Sequence, residues 1–312
     1  MVHKLRPGLL ILLGGLLMSL LAACMASATP TPVAVSPTST PLPTGPEFGV
    51  IVISTDLAVG VNRVVFGLVD RDGMPVRATG GRADVQAAIF IAGQEAAEVR
   101  HSATAQFMRW PVGSQGVFTA NLKLDTAGFW RLRVSMASED RGQVEAVGAF
   151  QVKELSDTPS IGDRAPASIT PTLSGVEDVA TITSSPVPDP DLYRLSVHQA
   201  LDAGKPLVVV FATPAFCVTA TCGPQVEVVS QLKERFQDQA NFIHVEVFEN
   251  PHLIEAGRPA GGFVPAVLEW NLPTEPWTFV LDRAGRVQAK FETFTTVEEL
   301  EDALQKVLDS QP

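Results

Sequence analysis

Cysteine is scarce in this chain: Cys24, Cys217 and Cys222 are the only three in 312 residues. That excludes a disulfide-dense scaffold and a cysteine-built zinc module, both of which need more thiols. Basic residues are also few, 23 Lys and Arg against 34 Asp and Glu, for a formal net charge of −11. A chain of this sign repels nucleic acid and anionic lipid headgroups, so neither is an expected partner. Long apolar runs are missing except at residues 8–21. That run falls short of the roughly 20 residues a spanning helix needs. The sequence contains no phosphate-binding Gly-rich loop ending in Lys-Ser/Thr, no His-Glu-x-x-His and no Gly-x-Ser-x-Gly. The common nucleotide, metalloprotease and serine-hydrolase signatures are therefore absent.

What is present begins with an address. Lys4 and Arg6 precede the apolar run, which ends in Leu21-Ala22-Ala23-Cys24. A short positive region, an apolar core and small residues before a cleavage point read as a signal peptide. The last four residues resemble the lipobox of bacterial lipoproteins. That resemblance implies cleavage after residue 23 and a diacylglycerol on Cys24. The mature chain is then expected on the outer face of the cell membrane or in the periplasm, held by lipid alone. Disulfides form in those compartments. With Cys24 lipidated, Cys217 and Cys222 are left as one pair.

Two stretches have the composition of connectors. Residues 24–47 are dominated by Pro, Thr, Ser and Ala and are expected to be an extended tether. Residues 155–192 are similar though less pure, and are expected to be a linker. The folded segments are then 48–154 and 193–312, each of ordinary domain size. No internal repeat is visible.

Residues 48–154 read as all β. Seven candidate strands (48–54, 62–70, 83–93, 97–109, 116–124, 129–137 and 145–153) are separated by turn signals such as Asp72-Gly73 and Gly128. Alternation through Phe129-Trp130-Arg131-Leu132-Arg133-Val134 puts Trp130, Leu132 and Val134 on one face. This spacing predicts a β-sandwich. The runs Asn62 to Phe66, Asp70 to Gly73, Gly116 to Ala120 and Gly128 to Leu132 resemble the small immunoglobulin-like domains of the YtkA/FixH type, some of which occur near copper handling. Met74, Met108, Met136 and His101 are the soft ligands available here, but no two stand at a tight ligand spacing, so no metal site is predicted.

Residues 193–312 alternate helix and strand. A short helix from Ser196 to Ala203 is stopped by Gly204, and Leu207 to Phe211 is a continuous apolar run of the buried-strand kind. A helix is predicted over 225–236 and a strand over 242–248. A hairpin of 277–281 and 287–291 turns at Asp282 to Gly285. The closing amphipathic helix over 297–308 opens with the capping pair Thr296 and Glu299. The segment Lys205 to Pro214, the triplet Cys222-Gly223-Pro224 and the segment Glu275 to Val280 resemble, in order, the strand, the active site and the opposing cis-proline segment of thioredoxins. The expected whole is thus an all-β immunoglobulin-like sandwich followed by an α/β thioredoxin-like fold.

The resemblance implies thiol–disulfide exchange, in which a thiolate at a helix N-terminus attacks a disulfide and a second thiol resolves the product. This sequence departs from the pattern. Four residues separate Cys217 from Cys222, so either cysteine aligns with the family's nucleophile. If Cys222 is the nucleophile, Gln225 takes the resolving position. The run Leu207 to Phe211 holds only Leu, Val and Phe where thioredoxins carry a buried acid. The assisting carboxylate is therefore expected to be missing. Glu275, Pro276 and Trp277 are the expected substrate contacts, with Pro276 cis. The partner implied is an exported protein, and no cofactor is required. The alternatives are a disulfide-stapled binding or assembly module and a Sco-like copper carrier. His244 and His252 do not match the Sco histidine, and are read as a satisfied strand residue and a surface loop residue.

Overall fold

A computed structural model describes residues 46–77, 81–89, 98–113, 115–138, 140–217, 219–255 and 258–310. The signal segment, Cys24 and the tether up to residue 45 lie outside the described residues, as does part of the third expected strand. Among the described residues, no helix is long and apolar enough to cross a membrane.

Seven strands form in the first half: β1 (Phe48–Val52), β2 (Gly60–Asp70), β3 (Arg82–Ile89), β4 (Val99–Arg109), β5 (Gly116–Leu124), β6 (Gly128–Ser138) and β7 (Gly142–Val152). The period-2 alternation sets their inner face. Trp130, Leu132 and Val134 are fully buried, while Phe129 stands 61% exposed on the other side. The expected two-sheet sandwich is a closed barrel, in the order β1-β2-β5-β4-β3-β6-β7. Closure comes from β1, which pairs antiparallel with β2 and, at Phe48 and Gly49, parallel with Ala146 and Val147 of β7. Gly148 permits that approach, since a Cβ there would lie 2.5 Å from the Val50 carbonyl oxygen. Alternation identifies a buried face but not which strand edges meet, so the sequence did not show the closure.

The second half contains α1 (Val197–Asp202), β8 (Leu207–Phe211), α2 (Cys222–Phe236), β9 (Asn241–Val245), α3 (Pro265–Glu269), β10 (Trp277–Leu281), β11 (Val287–Glu292) and α4 (Val297–Asp309). The sheet order is β11-β10-β8-β9, with β8 and β9 parallel and β10 antiparallel to both β8 and β11. This is the thioredoxin arrangement. Alternate residues of β8 serve opposite cores. Val208 and Val210 pack with α2 and α4, whereas Leu207, Val209 and Phe211 pack with α1, α3 and Trp270. All five are fully buried, each contributing roughly 1.5–3 kcal/mol of apolar burial.

Residues 155–192 are not a free connector. They carry short 3-10 turns at Leu173–Gly175, Val179–Thr181 and the start of Pro190–Tyr193, and bury Ile182 and Leu192. Their backbone pairs with the start of β11: Gly162 N–H donates to Val287 at 2.8 Å, and Val287 N–H donates to Asp163 at 2.9 Å. A Pro-, Ser- and Thr-rich composition does favour extended backbone. Here that backbone is paired to the sheet and pinned by the few apolar residues it carries.

Among the described residues, the barrel and the α/β half fall within one compact unit. The seam is partly apolar, with Val65, Met108 and Val117 of the barrel joining the core of α2 and α4. It is also ionic. Arg63, whose side chain is 7% exposed, donates to both carboxylate oxygens of Glu299, at 2.6 and 2.8 Å. The expected capping box of α4 is therefore half made. Thr296 accepts from Glu299 N–H, but the Glu299 carboxylate turns to Arg63 and Thr295. Thr55 donates through its N–H and hydroxyl to Glu292, at 2.8 and 2.6 Å. Asp56, with no side-chain exposure, lies 3.2 Å from Lys153 and 3.4 Å from Lys290.

Candidate functional site

β8 runs into the centre of the sheet and ends at Phe211, so the chain leaves it at the edge of the core. The following loop carries Cys217. α2 begins at Cys222, three residues earlier than its hydrophobic periodicity predicted, because Cys222 and Val226 are both buried against the core. The two cysteines form a disulfide with Cα atoms 5.9 Å apart. They are not equivalent. Cys222 has no exposed surface, while Cys217 is half-buried. The Cys222 N–H, at the first turn of α2, donates to Cys217 Sγ at 3.3 Å. A helix N-terminus aimed at a sulfur favours its thiolate form.

Gln225 makes a structural bridge. Fully buried, it donates to the Thr278 hydroxyl at 3.1 Å and accepts from Thr295 N–H at 2.8 Å. Both ends of its amide are engaged in holding α2 to the sheet and to the start of α4.

The carboxylate expected to be missing is present, but not on β8. Glu275 Oε2 lies 3.6 Å from Cys222 Sγ and accepts from Thr213 N–H at 2.7 Å. Glu246, just past β9, accepts from Ser184 N–H at 2.7 Å through Oε2, and its buried Oε1 has no protein partner among the described residues. Burial pushes the Glu275 carboxyl up to about 7, against the hydrogen bond from Thr213 N–H and with added repulsion from Glu246. Burial likewise pushes Glu246 up to about 7, its hydrogen bond from Ser184 opposing the rise. A carboxyl poised near neutrality beside the Cys222 sulfur can, once that sulfur is reduced, accept and return its proton at physiological pH.

Sheet register brings both acids to the end of β8, and Glu275 from there to Cys222. Phe211 of β8 stands opposite Val245 of β9 and Trp277 of β10. Glu246, one residue past Val245, and Glu275, two residues before Trp277, therefore flank the end of β8 from its two sides. Glu275 was expected to touch substrate; it points instead at Cys222. Pro276 is cis, as expected, and buried. Trp277, the third expected substrate contact, is packed in the core. It is 2% exposed, stacks on Phe279 and donates to the Thr274 hydroxyl at 3.1 Å. As the first residue of β10 it faces the inner core, which is why it packs.

His244 is a satisfied strand residue. Its Nε2 lies 2.9 Å from the Ala212 carbonyl and its Nδ1 2.7 Å from the Tyr193 hydroxyl. A carbonyl only accepts, so Nε2 carries the hydrogen; burial pushes the ring down to about 4 and keeps it neutral. His252 lies exposed in the 3-10 turn Pro251–Leu253. The soft residues of the barrel diverge: Met108 and Met136 are buried in different cores, and Met74 is 58% exposed.

No family model matches the chain, and no curated protein does. Among solved structures, one similar chain is a putative thiol:disulfide interchange protein DsbE from Chlorobium tepidum. It is 15% identical, with 48% of this chain and 99% of that one covered and a TM-score of 0.34. Another is the superoxide reductase (neelaredoxin) E23A from Ignicoccus hospitalis. It is 12% identical, with 34% and 82% covered and a TM-score of 0.21. Both likenesses are too distant to bear on activity. The class is defined by strand order and the placement of the cysteine pair: a thioredoxin-type α/β unit, joined to a seven-stranded barrel.

Proposed function

We propose that this chain is a lipid-anchored, extracytoplasmic thiol–disulfide exchange protein. Cys217 is its attacking sulfur, Cys222 its resolving sulfur and Glu275 its proton acceptor. The observation that carries the reading is the asymmetry of the pair: an accessible sulfur at a helix N-terminus, bonded to a buried one that faces a carboxyl at 3.6 Å. In the reduced protein, the Cys217 thiolate attacks one sulfur of a partner's disulfide. That S–S bond breaks, a mixed disulfide forms, and the other partner sulfur leaves as a thiolate that takes a proton from solvent. The Cys222 thiol passes its proton to Glu275 and attacks Cys217 Sγ. The mixed disulfide breaks and the second partner sulfur departs. Two electrons have passed to the partner, and an exported dithiol protein restores the pair by the same steps reversed. Run from the disulfide, the sequence oxidises a partner dithiol instead.

The sequence features at Cys24 support the anchor, and residues 24–47 serve as a tether to the membrane. The barrel is read as a closed relative of the immunoglobulin-like sandwich, because β2-β5-β4 and β3-β6-β7 retain the pairing of its two sheets. A copper-carrier role is disfavoured by His244, both of whose ring nitrogens are already engaged.

The test is the reduction potential of the pair in the full-length chain in detergent, by peptide-resolved thiol labelling in glutathione buffers. A value between about −120 and −270 mV, with Cys217 labelled first, supports exchange. A value below about −300 mV, with both thiols slow to react, makes the disulfide a structural staple and the protein a binding module.

A further inference from the structure

We propose that the barrel contributes a positioning residue to this redox site: Trp110, in the turn between β4 and β5, fixes Thr219 so that its hydroxyl stays on Cys217. The inference rests on the exchange reading above and adds the barrel to it.

The indole N–H of Trp110 donates to the carbonyl of Thr219 at 3.1 Å, across 109 positions of sequence. Thr219 lies between the two cysteines, and its hydroxyl is 3.2 Å from Cys217 Sγ and 2.7 Å from the Thr221 hydroxyl. One residue therefore has its backbone held by the barrel and its side chain against the attacking sulfur. The indole is delivered by a closed hairpin turn. Trp110 N–H donates to the Gln115 carbonyl at 2.9 Å, and Gly113 takes the left-handed φ of 83°. Trp110 and Cys217 both pack against the cluster containing Met108 and Val117 of the barrel and Cys222 and Val226 of α2. The turn is thus seated on the site by apolar contact as well as by the hydrogen bond.

The chemical consequence follows from what Cys217 becomes on reduction. A thiolate accepts hydrogen bonds; the Cys222 N–H supplies one donor and the Thr219 hydroxyl a second. Four residues separate the cysteines, and Ala220 within that loop adopts a left-handed φ of 55°. Such a loop has more freedom than a two-residue spacer, and an anchor on its middle carbonyl reduces that freedom. Trp110 acts on the sulfur only through Thr219.

Alkylation of Cys217 is measured against pH in the reduced full-length chain in detergent, alongside the potential of the pair, for wild type, Trp110→Phe, Thr219→Val and the double variant. Each single variant is expected to raise the alkylation midpoint by about one pH unit and slow alkylation at pH 7 by roughly tenfold. Each also lowers the potential. The double variant is expected to match Thr219→Val, because the two residues form one path. A Trp110→Phe protein with unchanged midpoint and potential overturns the proposal, even if its melting temperature falls. So does a double variant whose effects simply add. In wild type, the Trp110 indole proton is expected to resist solvent exchange. A fast-exchanging indole overturns the clasp without any substitution. The exchange reading is judged separately by the wild-type potential, so a staple-like potential with a shifted Trp110→Phe midpoint rejects that reading and keeps the clasp.

Discussion

Asp56, buried at the seam, and Glu275, half-buried at the cysteine pair, are driven in opposite directions. Burial alone raises either one. At Asp56 that rise is outweighed by the Ser156 hydroxyl, the Asp157 N–H, the Lys290 ammonium and the Thr158 hydroxyl, which together hold it well below the usual carboxylate range. At Glu275 the Thr213 N–H is the opposing contact, no cation contributes, and a second carboxyl at Glu246 adds to the rise. One site spends its polar groups on a permanent charge that clamps the barrel to the α/β half. The other leaves a carboxyl able to change its charge near pH 7. Neighbours, not burial, separate a structural acid from a working one.

The most severe way to break this comparison is to remove the clamp's charge. Asp56→Asn leaves Lys290 buried beside a neutral group, and breaking such a cluster from one side costs about 3–5 kcal/mol. Chemical denaturation should show that loss, and the melting temperature should fall by about 10 °C. The Cys217–Cys222 potential should stay unchanged in the folded fraction. A variant as stable as wild type would mean that apolar contacts alone hold the seam.

Next in size is Glu275→Gln, which can still accept from Thr213 N–H but takes no proton from Cys222. Exchange with a model disulfide should slow by roughly tenfold or more, and its pH inflection near 7 should disappear. The fold itself should become more stable above pH 7, where wild type carries an ionised buried carboxylate. Loss of rate with an unchanged pH profile would reduce Glu275 to a packing residue.

How far each site could be read from sequence follows from how its parts are connected. The seven strands and the helices over 222–236 and 297–309 carry their own periodicity, and they were legible to within a few residues. Barrel closure was not, because β1 and β7 meet across about 100 positions of sequence and are paired by curvature, not pattern. The cysteine pair was visible as residue types. β8 itself, the position the thioredoxin pattern points to, holds only Leu, Val and Phe. The two acids sit instead at the ends of β9 and β10, strands that flank β8 only after folding, and aligning Phe211 with Val245 and Trp277 is the step that would have found them. Trp110 gave no local signal at all, since its partner is a carbonyl in the other half of the chain.

A smaller effect is expected in the stability profile. Glu246 and Glu275 have folded values near 7, above the ordinary carboxylate value. The folded state therefore holds more protons than the unfolded state between about pH 4.5 and 7. Their contribution is complete below that window and is lost as pH rises through 7. Asp56 behaves oppositely, contributing above the ordinary carboxylate range and losing its effect as pH falls through and below it. Denaturant midpoints across pH should thus decline on both sides of a mildly acidic maximum. A Glu246→Gln, Glu275→Gln double variant should flatten only the alkaline side.

The smallest and most discriminating change is Glu246→Gln alone. Glu246 does not touch Cys222; it acts on Glu275 by like charge, and that repulsion is the least of the causes raising Glu275. Neutralising it should leave the exchange rate within a fewfold of wild type and move the pH inflection downward by less than about one unit. The direction carries the test. If the two carboxyls share their titration, removing one lets the other ionise more readily, so the inflection moves to lower pH. If Glu246 were instead the group that passes protons between Glu275 and solvent, its loss would slow exchange at every pH and leave the inflection in place. Its buried Oε1, without a protein partner, leaves room for that second role, and the pH profile of this single variant separates the two.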